Sequence, residues 1–139
     1  MEKKKYELNK NFTHDVKVQE VREKALGELL TNKTIELKTE MGMWKDTGNI
    51  AVEVKFDGKL SGIAKTKADL WWHTLELNGK PFVHIVFDTE TFKKHIKSLK
   101  RQGKVTIKDG GDDNLSSIWL IKLTDLLDPK NIKEEELGL

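Results

Sequence analysis

Two stretches of this chain alternate apolar and polar residues with a period of two: Lys33-Thr34-Ile35-Glu36-Leu37-Lys38-Thr39-Glu40 and Asn49-Ile50-Ala51-Val52-Glu53-Val54-Lys55-Phe56. Successive side chains of a strand point to opposite faces, so each stretch predicts a strand with one buried apolar face and one charged face. The link Met41-Gly42-Met43-Trp44-Lys45-Asp46-Thr47-Gly48 carries turn chemistry and is short for a helix. An antiparallel hairpin is the economical connection. A turn centred between Asp46 and Thr47 sets Glu40 opposite Glu53, and period two puts Glu53 and Lys55 on the same face.

The remaining segments place this ribbon within an α/β domain. From Thr13 to Leu30, apolar residues recur near helical spacing, with Thr13 or Asp15 as cap and Asn32 at the end, and Glu20 and Glu23 share a face. After a turn at Asp57-Gly58, Ser61-Gly62-Ile63 leads into Lys65–Trp72, which reads as a short helix capped near Thr66. Asn78-Gly79 between His73–Leu77 and Phe82–Phe87 predicts a second hairpin. Thr89–Gln102 predicts a helix with Phe92, Ile96 and Leu99 inward, and Gly103 stands just past its end. Strands at 104–107 and 117–123 bracket the polar loop 109–114. The expected organisation is a flexible Lys-rich lead-in (1–12), one domain (13–127) and a polar tail (128–139), with a mixed sheet flanked by helices.

Composition narrows the function classes. The 139 residues contain no cysteine, which excludes disulfide scaffolds and thiolate metal sites and fits a reducing interior. No apolar run approaches the roughly 20 residues of a membrane span, and the first residues lack a signal-peptide apolar region, so a cytoplasmic protein is expected. The net charge is only +2. Yet residues 111–139 hold Lys122, Lys130 and Lys133 against seven acids, which leaves residues 1–110 clearly basic. Such a surplus permits a polyanionic partner. Arg22 and Arg101 are the only arginines, so phosphate contacts fall to lysine and backbone N–H groups. No phosphate-binding glycine loop, dinucleotide fingerprint or nucleophile elbow appears.

The chemistry lies in the ribbon. Facing carboxylates on a hairpin repel unless a cation sits between them, and Mg²⁺ accepts one or two carboxylates while keeping several waters. Glu40 and Glu53 are therefore the candidate ligands of Mg²⁺ or Mn²⁺. Asp46 is the alternate for Glu40, and an acid from the leading helix, Glu20 rather than Glu23, completes the shell. Lys55 would orient the attacking water, a task suited to phosphodiester hydrolysis. Glu36-Leu37-Lys38 is a second acid-x-Lys that could be the working pair instead. Charged residues on an outward face are also what any solvated edge strand shows, and acid-x-Lys recurs by chance in a chain that is 35% charged.

Further motifs add specificity. Thr47-Gly48-Asn49-Ile50-x-x-Glu53, followed by Ser61-Gly62-Ile63-x-x-Thr66-x-Ala68-Asp69-x-Trp71, resembles small phage and prophage proteins of the PD-(D/E)xK nuclease superfamily. Lys38-Thr39-Glu40 occupies the family's Lys-x-acid place and Glu53-Val54-Lys55 its acid-x-Lys place. The resemblance covers roughly Glu20 to Trp72. It departs in having glutamate where the first metal carboxylate is usually aspartate, and in lacking a Pro-Asp dipeptide. What it implies is a restriction-endonuclease-like core and a Mg²⁺-dependent DNA endonuclease, acting on branched or recombination DNA as Holliday-junction resolvases do. A homodimer is expected in the same way, because cutting two strands symmetrically needs two sites.

DNA contacts are expected from Lys38, from Ser61, Lys65, Thr66 and Lys67 at the predicted helix start, and from Trp44 stacking on bases. Ordinary capping by Thr66 and a core-lid role for Trp44 are the plain alternatives. Asp69 is expected to hold a loop by hydrogen bonds. The competing function is a non-catalytic nucleic-acid-binding or phage protein-interaction module on the same fold.

Overall fold

The second alternating stretch folds as its pattern predicts. In the computed structural model, which describes residues 12–138 and so leaves the lead-in before Phe12 outside the described residues, Asn49–Phe56 is a strand that buries Ile50, Val52 and Val54. Each such side chain removed from water stabilises the fold by about 1.5–3 kcal/mol. The chain divides into two units, one ending at Lys33 and the other beginning at Thr34. The first contributes the α-helix α1 (Phe12–Thr31), matching the predicted leading helix to within a residue or two.

The second unit runs β1 (Ile35–Glu40), α2 (Met43–Thr47), β2 (Asn49–Phe56), β3 (Lys59–Leu60), β4 (Leu70–Leu77), β5 (Lys80–Asp88), α3 (Thr89–Arg101), β6 (Val105–Gly110), β7 (Ser116–Lys122), α4 (Leu123–Leu126) and α5 (Glu134–Leu137). Short 3₁₀ turns lie at Gly62–Ala64, Asp112–Asn114 and Pro129–Asn131. The architecture is mixed α/β. One three-stranded sheet has the order β1-β4-β5, with β1 parallel to β4 and β4 antiparallel to β5; a four-stranded antiparallel sheet has the order β3-β2-β7-β6.

The predicted β1–β2 hairpin does not form. Met43–Thr47 closes a one-turn helix instead, and Gly48 ends it in the left-handed region (φ 72°), its N–H donating to the Trp44 carbonyl at 2.7 Å. That turn sends β2 into the other sheet, against β7, while β1 pairs with β4. The Thr47 hydroxyl donates to the Met43 carbonyl and accepts the Asn49 N–H, so Thr-Gly-Asn serves as a helix stop and strand start. The expected helix at Lys65–Trp72 is also absent: Leu70, Trp71 and Trp72 already belong to β4, where aromatic residues suit a pleated, half-buried surface.

Other expectations hold. Asn78 and Gly79 take positive φ in the tight turn joining β4 to β5. Helix α3 is capped by Asp88, whose carboxylate accepts the Thr91 N–H, and it buries Phe92, Ile96 and Leu99. Phe92 stacks on Trp71 and Phe87, joining α3 to the three-stranded sheet, while Ile50, Val52, Val54 and Ile121 join it to the other. Asp69 ties two segments together, its Oδ2 accepting both the N–H and the hydroxyl of Thr34. No helix among the described residues is long and apolar enough to cross a membrane.

Candidate functional site

Glu53 is held by two hydroxyl donors from distant parts of the chain. The Ser116 hydroxyl donates to its Oε1 at 2.6 Å and the Ser61 hydroxyl to its Oε2 at 2.7 Å. These two bonds, Ser116 first, hold its carboxyl below the usual glutamate range; partial burial opposes them and the Lys38 ammonium adds to them. Two hydroxyl donors leave acceptor capacity on both oxygens.

The loop after β3 is built around this residue. The Ser61 N–H donates to the Val54 carbonyl, Gly62 lies directly on the Glu53 backbone and Ile63 is buried in the core. A Cβ on Gly62 would sit 2.2 Å from the Glu53 carbonyl oxygen, and its φ of +51° favours glycine besides. Ser-Gly-Ile is thus one carboxylate donor, one close approach and one core anchor in succession.

Glu40 closes the C-terminal end of β1. Its Oε1 accepts the Ala51 N–H at 2.6 Å and lies 2.9 Å from Nε2 of His73, a side chain only 1% exposed. The Trp71 indole N–H donates to His73 Nδ1 at 3.1 Å. That bond makes Nδ1 an acceptor, so Nε2 carries the proton and donates it to Glu40. The bonds found on Glu40 all end on Oε1.

Strand β1 has a charged face on which Glu40 is partly buried while Glu36 and Lys38 keep much of their side chains in solvent. Glu36, Lys38 and Glu40 share one face; Lys38 lines a cavity of about 220 Å³ with Ala51, Glu53, Trp71 and Ile118, and its Nζ lies 3.7 Å from Glu36. Ile35, Leu37 and Thr39 turn the other way, toward Trp72, Thr74 and His84 on the outer face of the three-stranded sheet, and Ile35 and Leu37 are 44% and 59% exposed. The expected burial of this strand's apolar face is therefore not found.

The predicted constellation is rearranged accordingly. Glu40 faces the Ala51 backbone and Lys38 accompanies Glu53, a juxtaposition displaced by two residues from the expected Glu40–Glu53 pairing. Lys55 does not accompany Glu53. A bulge between Glu53 and Lys55 breaks the alternation against β7, and Lys55 lines a different groove, beside α3. Asp46 is exposed on α2 and lines no part of the Glu53 cavity. Glu20 and Glu23 lie on α1, in the other unit.

Of the expected DNA contacts, Ser61 is committed to Glu53, and Thr66 accepts the Ala68 N–H on its hydroxyl and the Lys93 ammonium on its carbonyl. Lys65 and Lys67 are exposed, but no helix starts there to add its N–H groups. Trp44 donates its indole N–H to the Glu76 carbonyl and stacks on Phe82 at 5.9 Å, so it lids the β4–β5 hairpin. His73 and Ser116 escaped the sequence reading. Only the Trp71-x-His73 spacing, which puts both on one strand face, could have flagged the former.

Among the described residues no three His, Asp or Glu side chains converge as a ready metal cage. Glu53 keeps acceptor capacity on both oxygens, as a hard divalent ion with mostly water ligands would need, and Glu40 bonds the N–H of Ala51, a residue lining the same cavity. No family model, curated protein or solved structure matches the chain.

Proposed function

We propose that this chain is a metal-dependent DNA endonuclease with a restriction-endonuclease-like core, in which Glu53 and Glu40 hold the ion and Lys38 serves the phosphate. The observation that carries the reading is the Glu53 carboxylate itself, braced by the Ser61 and Ser116 hydroxyls and facing a cavity that Lys38 of β1 also lines. The same strand leaves Ile35 and Leu37 exposed, although burying leucine would stabilise the fold. A braced carboxylate and an ammonium lining one cavity make it a candidate site.

A divalent ion held there would polarise a phosphoryl oxygen and acidify a bound water. The protein's own groups divide the remaining work. Ser61 and Ser116 keep Glu53 ionised and fixed in direction. His73, itself oriented by Trp71, fixes Oε1 of Glu40. Lys38 replaces Lys55 in the role of the acid's companion, placing positive charge where negative charge develops on the phosphate. The resemblance to the PD-(D/E)xK superfamily supports the same chemistry and makes branched DNA the first substrate to try.

The test is cleavage of plasmid, linear and four-way-junction DNA in Mg²⁺ or Mn²⁺. Glu53→Ala and Lys38→Ala should each slow cutting by about 10²-fold or more, the usual cost of removing one such preorganised group. Full cutting by Glu53→Ala would overturn the mechanism. DNA retention without any metal-dependent cutting by the wild type would return the chain to a non-catalytic nucleic-acid binder.

A further inference from the structure

A second groove lies on the α3 side of the β2–β7 ribbon. It encloses about 630 Å³, with Ile63, Ile96 and Trp119 among its walls and Lys55, Lys97 and Lys100 around it. The lysines come from two elements. Lys55 is turned here by the bulge in β2, whereas Lys97 and Lys100 are three apart on α3 and share its exposed side.

The charges in this groove are unevenly matched. Lys93 is occupied by the Thr66 carbonyl at 2.8 Å and by Glu90 at 3.4 Å, and Glu90 is the one acid lining the groove. Among the described residues, no ion pair involves Lys55, Lys97 or Lys100. The Lys100 ammonium rests instead over the Trp119 ring, 5.1 Å from its centroid. Like charges gathered around an apolar hollow repel one another, a cost that a polyanion removes.

We propose that this groove binds a single strand of nucleic acid, with phosphates on Lys55, Lys97 and Lys100 and an unpaired base against the apolar wall and Trp119. The assignment rests on the nuclease reading for the identity of the polymer. The hollow selects the strand state: a duplex keeps its bases stacked inside and offers only backbone to the lysines, leaving the apolar wall unused, whereas an unpaired strand fills both. Its volume falls within the range of pockets that take a ligand of a few rings. The groove and the Glu53 cavity share one ribbon, since Ser117 lines the first while neighbouring Ser116 bonds to Glu53. A strand held in the groove is thus anchored beside the cutting site.

The experiment is fluorescence anisotropy in EDTA with a labelled DNA single strand of about 16 nucleotides, the upper site size of a strand-binding fold. Binding is titrated over a series of salt concentrations. The variant Lys55→Gln/Lys97→Gln/Lys100→Gln should weaken binding at least about tenfold and flatten the log K against log salt slope by about 2, three contacts at about 0.7 each. Should that variant melt early, Lys97→Glu alone carries the test through a smaller loss of the same kind. An unchanged slope, a duplex of equal length bound more tightly than the single strand, or polyglutamate competing equally at matched charge would each overturn the assignment. Because metal is absent, a wild type that binds as expected yet never cuts would sink the nuclease and leave the groove standing, and the reverse result would do the opposite.

Discussion

β1 and β2 carry nearly the same alternation, yet they fold to opposite ends. β2 buries Ile50, Val52 and Val54 and turns Glu53 toward a cavity, whereas β1 exposes Ile35 and Leu37 and buries in part only Glu36 and Glu40 of its charged face. The difference teaches that period two fixes which residues share a face but not which face is covered. That choice belongs to the partner strands. β2 is covered by α3 and flanked by β7, while β1 is an edge strand of which only the last residue, Glu40, reaches the Ala51 N–H and the His73 ring.

Four substitutions sharpen or break the contrast. The largest effect is expected for Ile50→Ala, which empties a fully buried site on β2 and should cost about 2–5 kcal/mol by urea unfolding. Gly62→Ala comes next: the new methyl meets the Glu53 carbonyl and the left-handed backbone disfavours it, so a loss of about 1–3 kcal/mol is expected, together with reduced DNA cutting. A Gly62→Ala protein as stable as the wild type would mean that the loop does not brace the site.

Ser116→Ala should cost about 1.5 kcal/mol at pH 7, the low end for a bond to a charged acceptor. Here pH gives the sign. Glu53 has its folded pKa lowered, so the bond's contribution is full above the unfolded value of about 4.3 and is lost as pH falls through the folded value. The gap between wild type and variant should therefore narrow in acid; a gap that widened would show that Ser116 stabilises something other than the ionised carboxylate. Leu37→Ala is the smallest, within about 0.5 kcal/mol, as befits an exposed position. A loss rivalling that of Ile50→Ala would break the comparison outright, because β1 would then bury its apolar face after all.

Much of the scaffold was legible: the leading helix, the Asn78-Gly79 hairpin, α3 with its inward Phe92, Ile96 and Leu99, and the β6–β7 pair all follow from local patterning and turn chemistry. The β1–β2 hairpin was misread because a single helical turn between strands has no periodicity of its own, and Gly48 can end a helix as readily as it can make a hairpin. Lys65–Trp72 was misread because apolar aromatics in a short run satisfy helix and strand alike. At the candidate site, Glu53, Glu40, Lys38 and Ser61 all stand out in the sequence, but the bonds of Glu53 to Ser61 and Ser116 and of Glu40 to Ala51 and His73 do not. The bulge that removes Lys55 leaves no trace in the sequence, and Ser116 lies 63 positions from the carboxylate it serves.

The tripeptide Ser61-Gly62-Ile63 carries a lesson about tolerance to change. Three adjacent residues answer to three different constraints: an oxygen to be gripped, a carbonyl to be cleared and a hollow to be filled. Drift at any one of them disturbs the other two through a backbone only three residues long. A library randomised across 57–67 should come back blank at these positions and varied at the exposed Lys59, Lys65 and Lys67, which marks where a lineage of such chains is free to wander and where it is pinned.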